Sequence, residues 1–177
     1  KEFKYTWLVD PIDGTKEFLK KNGQFTVNIG LCRDGVPIFG IVSIPTSNEI
    51  YYGIENLGSF KIENTGEIKK LKINKKDFTQ KNMNIIASLS HMNDDTKKYI
   101  EQFTTPNLMN IGSSMKLLYI AENKADVYPR YALTSEWDTC AAHAVVKYAG
   151  GKVFIAETRQ ELIYNKENIL NPYFLVY

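Results

Sequence analysis

The chain has 177 residues, 44% of them hydrophobic and 24% charged, the balance of a soluble globular protein rather than a disordered or fibrous one. A net charge of +2 is too small to argue for a nucleic acid polymer or an anionic membrane as partner. No apolar run approaches the roughly 18 residues needed to span a bilayer, and no charged-then-apolar leader is visible. A cytoplasmic protein without a transmembrane segment is therefore expected, with peripheral contact to the inner membrane left open.

The pattern enters a strand almost at once. The apolar run Trp7-Leu8-Val9 reads as a buried strand that ends at Asp10. The chain starts at Lys1 with no methionine, which suggests that an N-terminal part of a longer protein is missing. Phe25, Val27, Ile29 and Leu31 alternate with Gln24, Thr26, Asn28 and Gly30, the period of a strand. Arg33-Asp34-Gly35 signals a hairpin, and Val36 to Ile44 runs back. Glu49 to Ile54 and Ser59 to Ile62 continue the series across turns at Asn56-Leu57-Gly58 and Asn64-Thr65-Gly66, so an antiparallel meander is predicted. Lys69 to Asn84 is lysine-rich and reads as a solvated surface connection.

The second half alternates differently. Strands are predicted at Met83 to Ser88, Leu108 to Ile111, Ala125 to Tyr128, Lys152 to Ile155 and Tyr173 to Val176, and helices at Asn93 to Phe103 and Ser114 to Glu122. The clearest helix is Trp137 to Ala149. Its Trp137, Cys140, Ala141, Ala144, Val145 and Tyr148 recur at helical spacing, and Gly150-Gly151 stops it. The fold class expected is mixed α/β, with an antiparallel sheet lobe (1–82) followed by a smaller α/β lobe (83–177). Cys32 and Cys140 stand far apart in unrelated contexts and are expected as reduced, buried thiols. Two histidines without CxxC or HxxxH spacing give no zinc site.

Three stretches could carry chemistry. In Asp10-Pro11-Ile12-Asp13-Gly14-Thr15, two carboxylates and the Ile12 carbonyl can be aimed at one hard cation, with Pro11 fixing the backbone and Gly14 permitting an unusual turn. Thr15 can orient a water. A plain turn followed by a helix cap competes with that reading. An EF-hand is excluded, because its twelfth position would fall on Lys21. Ser135-Glu136-Trp137-Asp138 reads as a capping box, or as a helix start that lends Asp138 to a metal. Gly112-Ser113-Ser114-Met115-Lys116 offers free backbone N–H groups, hydroxyls and a lysine to an anion, or is a simple cap. His91 and Arg130 by themselves read as surface or satisfied core residues.

Together these residues resemble a known family. WLVDPIDGTKEF followed by NGQFTVNIGL, and then EWDTCAAHAVVKYAGG, are similar to the two signatures of the lithium-sensitive, magnesium-dependent sugar-phosphate phosphatases, the superfamily of inositol monophosphatase. The likeness covers essentially the whole chain. Within it, DGT-KEF, SLSH, GSSMK, DVYPR and the closing Asn171 to Phe174 resemble the 3'(2'),5'-bisphosphate nucleotidase branch of the CysQ type.

The resemblance implies a layered α/β sugar-phosphatase fold. It implies two or three Mg²⁺ ions held by Asp10, Asp13, Asp138 and the Ile12 carbonyl, with Li⁺ as an inhibitor. Asp13 and Thr15 would be the catalytic residues. Gly14, Thr15, His91, Ser113, Lys116, Arg130 and Asp138 would border a small nucleotide substrate, 3'-phosphoadenosine 5'-phosphate. The alternatives are an inositol monophosphatase or related sugar phosphatase, or a non-catalytic fragment that binds metal or nucleotide weakly. Leu89 stands where related bacterial enzymes commonly have arginine, and Cys140 and Ala142 where they have alanine and glycine. The family's N-terminal helices, with a glutamate ligand and a water-activating acid, have no counterpart in these residues.

Overall fold

The computed structural model describes residues 3–87 and 92–177. Six strands form an antiparallel meander whose order in space is its order in sequence: β1 (Tyr5–Asp13), β2 (Thr26–Arg33), β3 (Val36–Ile44), β4 (Glu49–Ile54), β5 (Gly58–Ile62) and β6 (Ile68–Leu71). The β2–β3 turn places Asp34 and Gly35 at φ 51° and 82°, the mirror-type geometry whose twist matches a hairpin. The short helix α1 (Thr15–Leu19) interrupts the meander after β1.

Two expectations are corrected here. The stretch expected as a solvated connection from Lys69 to Asn84 begins instead with a strand: Ile68–Leu71 is the sixth, paired with β5 in the register Ser59–Leu71 to Ile62–Ile68, with its first three residues exposed. Its addition covers backbone groups that β5 would otherwise leave open at an edge. Nor is β1 a buried strand. Tyr5, Trp7 and Val9 are 54%, 59% and 51% exposed, because β1 is the edge of the sheet and they lie on the face away from the core.

The second half supplies β7 (Asn84–Ile86), α2 (Asp94–Ile100), β8 (Asn107–Met109), α3 (Met115–Ala121), β9 (Tyr128–Arg130), α4 (Glu136–Tyr148), β10 (Val153–Ile155) and β11 (Phe174–Val176). β7 and β8 pair in parallel, and β10, β11 and β9 form an antiparallel sheet in that order. A parallel bridge between Ile85 and Val127 joins the two groups. The strand expected over Ala125 to Tyr128 is displaced to Tyr128–Arg130, because its register is set by pairing with β11. Ser88 to His91 lie outside the described residues. Among the described residues no helix is long and apolar enough to cross a membrane.

Helix α4 lies across the meander, and the sheet is cut to receive it. Gly30, Gly40 and Gly53 are successive cross-strand partners on β2, β3 and β4. A Cβ built on Gly40 would stand 2.1 Å from the Ala141 carbonyl oxygen, and one on Gly53 2.4 Å from that of Ala144. The next residue of the row, Ser59 on β5, donates its hydroxyl to the Val145 carbonyl at 2.6 Å. Helix backbone therefore rests directly on strand backbone, with Ala141, Ala142, Ala144 and Val145 fully buried between them. Cys32 and Cys140 meet in this interface as free, buried thiols with sulfurs 3.2 Å apart, so their contexts are shared rather than unrelated. The larger of two core clusters runs from Val42, Tyr51 and Leu71 through α4 to Ile86, Leu118 and Phe174, and a smaller one gathers Met83, Ile85, Ala87, Ile100 and Val127.

The close approach is testable. Gly40→Ala should lower the unfolding free energy by about 1–3 kcal/mol, the usual cost of overpacking, read as a shift in the urea midpoint. An unchanged midpoint would mean that the helix sits further from the sheet than described.

Candidate metal and phosphate site

Three chain segments converge at one end of α4. The first is the end of β1. Its pairing with β2 is regular to Asp10 opposite Asn28, then shifts before Asp13 opposite Thr26. The irregularity lets two acids three residues apart turn to the same side, where a regular strand would put them on opposite faces. The Ile12 N–H donates to Asp10 Oδ1 at 3.0 Å and fixes that carboxylate. Gly14 then adopts φ 87°, ψ 46° and swings the chain into α1. A Cβ there would meet the Gln24 carbonyl at 3.0 Å and the Ser113 Cβ at 3.1 Å. The second segment is the start of α3, and the third is the first turn of α4.

Asp138 serves both roles considered for it. The Ser135 N–H donates to its Oδ2 at 2.7 Å, so it caps the helix. It also joins Asp10 and Asp13 in a group in which one carboxylate oxygen from each lies within 4.8 Å of the others. Behind this group stands a buried relay. Asp13 accepts from the Ser114 N–H and, at 3.5 Å, from the Thr26 hydroxyl. The Thr26 and Ser114 hydroxyls are 2.8 Å apart. Ser114 donates to Asn28 Oδ1 at 2.7 Å, and the Asn28 amide donates to Thr26 at 3.2 Å. The free N–H groups expected at Gly112 to Lys116 are thus partly spent, since that of Ser114 is committed to Asp13.

The electrostatics follow from crowding. Burial, with Asp138 and Asp10 adding to it, pushes Asp13 up to about 6 against the pull of Lys116 and the Ser114 N–H. Asp10 is raised as well, first by burial and then by Asp138, with the Ile12 N–H opposing. Among the described residues none of the three is ion-paired. Three clustered carboxylates with no ion-pair contact among the described residues, two of them disfavoured in their ionised form, fit a hard divalent cation with oxygen ligands.

An anion-binding side adjoins the acids. A cavity of about 360 Å³ is lined by Asp13, Gly14, Ser113, Lys116, Arg130 and Asp138, among others. Lys116 Nζ donates to the Ser113 carbonyl at 3.0 Å. Burial, with Arg130 adding to it, lowers Lys116 to about 8 against the pull of Asp13. Arg130 donates to the Leu133 carbonyl at 3.2 Å, while its buried Nε has no partner among the described residues. Thr15 is the exposed first residue of α1; it, Ile12 and Asp10 do not line the cavity. His91 lies outside the described residues.

Motif reading passed over Thr26 and Asn28, and took Ser114 for an anion site or a cap rather than for a group that holds Asp13. A signal was present: Thr26 and Asn28 are polar residues two apart on one face of a strand, and both are fully buried. Buried polar side chains need partners, so that face had to meet something polar.

The chain is 44% identical over 147 residues to the 3'(2'),5'-bisphosphate nucleotidase CysQ of Buchnera aphidicola, matching 83% of this chain and 54% of that protein. It is 39% identical over 170 residues to the CysQ of Salmonella typhimurium, matching 96% of this chain and 67% of that protein. The crystal structure of CysQ from Bacteroides thetaiotaomicron superposes with a TM-score of 0.89 at 37% identity, covering 99% of this chain and 70% of that one. The chain thus spans between about half and two thirds of the length of these curated relatives. The inositol monophosphatase family profile matches residues 1–173, and the chain belongs to that family.

Proposed function

We propose that the protein carrying this chain is a magnesium-dependent phosphatase that hydrolyses 3'-phosphoadenosine 5'-phosphate to AMP and phosphate. The observation that supports the reading most is the juxtaposition of a carboxylate triad with a cavity bearing Lys116 and Arg130. The similarity to proteins named 3'(2'),5'-bisphosphate nucleotidase supports the choice of substrate. The expected compartment is the cytoplasm.

In this reading Asp10, Asp13, Asp138 and the Ile12 carbonyl hold two or three Mg²⁺ ions, at a site that Li⁺ would compete for. The bound metal lowers the pKa of water and neutralises charge on phosphoryl oxygens. The chain's own groups do the rest. Lys116 and Arg130 place positive charge beside the phosphate, and the approach of that dianion keeps Lys116 protonated. The Ser113 hydroxyl and the turn at Gly14 shape the phosphate's seat, with His91 a further nucleotide contact. The Thr15 hydroxyl orients the attacking water for in-line displacement at phosphorus. Water adds as the P–O bond to the 3'-oxygen breaks, and the proton leaves with AMP. Positioning and charge neutralisation carry this chemistry, without a covalent enzyme intermediate.

Three outcomes are expected of the full-length protein. Asp13→Asn should reduce turnover by at least the 10²–10³ that loss of one electrostatic stabiliser costs, roughly. Its circular dichroism should be unchanged. Because burial and like charge disfavour the Asp13 carboxylate, the same variant should unfold at equal or higher urea when metal-free. Near-normal turnover would contradict the assignment. Chelation with EDTA should abolish phosphate release, and Mg²⁺ should restore it. In a substrate panel with Mg²⁺, the bisphosphonucleotide should be preferred over inositol phosphate, and the reverse preference would overturn the substrate assignment.

A further inference from the structure

The metal-site chemistry above leaves one buried group unused. Asn171 is 2% exposed and lies in the segment that leads into β11, yet its side chain is directed at the start of α4. Its amide nitrogen is 2.8 Å from the Ser135 carbonyl, 3.1 Å from Thr134 Oγ1 and 3.0 Å from Thr139 Oγ1. Its backbone N–H donates to the Thr134 carbonyl at 2.8 Å. These contacts bracket Asp138 on both sides, since Thr134 and Ser135 precede it and Thr139 follows it. The same segment adds a bridge between Ser135 and Leu170, and the Glu136 N–H donates to the Ile169 carbonyl at 2.9 Å.

We infer that Asn171 is a positioning residue for Asp138: its amide clamps the first turn of α4 and thereby sets the affinity of the carboxylate triad for a divalent cation. The inference rests on the metal-site reading above. A helix start has N–H groups without intrahelical partners and frays unless something holds it. Here the Ser135 N–H occupies one oxygen of Asp138, so the direction of the other oxygen follows the position of Ser135. Asn171 fixes Ser135 through its carbonyl. Mg²⁺ demands near-ideal octahedral geometry and tolerates little ligand drift, so a loosened first turn weakens the site even though Asn171 touches no metal ligand directly. One further observation points the same way. The Asn171 Oδ1 is buried without a partner among the described residues. An apolar side chain of similar size would avoid the cost of a buried unsatisfied acceptor but could donate nothing to Ser135, Thr134 or Thr139. The amide is needed for its donors.

The experiment measures Mn²⁺ binding by electron paramagnetic resonance on the full-length, metal-free protein without substrate, beside Mg²⁺-dependent kinetics. Asn171→Ala should raise the Kd for Mn²⁺ by about 10–100-fold, the range for groups that orient metal ligands. KM for the nucleotide at saturating Mg²⁺ should stay near wild type. A role confined to general stability would lower the Tm and leave the Kd where it was, and that result overturns the inference. If Asn171→Ala does not fold, Thr139→Val decides. It removes one acceptor of the amide with little change in shape, and should raise the Kd several-fold in the same direction; an unchanged Kd overturns the inference. Wild-type protein that binds Mn²⁺ but hydrolyses no bisphosphonucleotide would sink the proposed function and leave this inference standing. Wild-type protein that binds no Mn²⁺ would sink both.

Discussion

Everything in this molecule depends on helix α4 resting backbone to backbone on the meander. Gly30, Gly40 and Gly53 remove the side chains that would hold it off, and Ser59 replaces them with a hydrogen bond to the Val145 carbonyl. The arrangement fixes the helix along its axis as well as in height. Its N-terminal turn is thereby delivered to the end of β1, where Asp10 and Asp13 wait. Side chains at these glycine positions would hold the helix off the sheet, and its first turn would no longer meet the end of β1.

The site built at that end is unfavourable by itself. Burial and mutual repulsion raise the proton affinity of Asp10 and Asp13, and Asp138 adds its charge to both. The fold tolerates this through a second layer of polar groups. Ser114, Thr26 and Asn28 hold Asp13 from behind, and Ser135 holds Asp138. Unbalanced charge of this kind is characteristic of places where a ligand completes the electrostatics. The neighbouring cations are arranged in a complementary way. Lys116 is buried enough to shed its proton more easily than a surface lysine, and Arg130 keeps a buried Nε free of partners among the described residues.

Sequence and structure agree best where the signal is local. The hairpin at Asp34-Gly35 is legible because only residues tolerant of positive φ fit its turn. The extent of α4 is legible because a 3.6-residue period and a double glycine bound it. The placement of β6 and β9 was not, since each strand's limits are set by a partner distant in sequence. Alternation in β2 identified a strand but could not say which face is inside. The face packed on α4 is the polar and small one, Thr26, Asn28, Gly30 and Cys32, while Val27, Ile29 and Leu31 stay partly exposed on the other. Apolar pattern indicates periodicity, and what lies opposite decides burial.

By itself the sequence determined the residue types that chemistry needs: two aspartates flanking a proline-isoleucine turn, a third at a helix start, and the lysine and arginine of the second half. It determined the strand series and the helix that carry them, because backbone propensity and hydrophobic period are properties of short stretches. The resemblance carried by two separated motifs extended that to a family. Only the tertiary structure decided that the three acids share one point, that Ser114 spends its N–H on Asp13 rather than on a ligand, and that Asn171 reaches across to hold the turn bearing Asp138. Each of these is a contact between residues far apart in the chain. Such contacts are fixed by how a helix seats on a sheet, which no local pattern encodes.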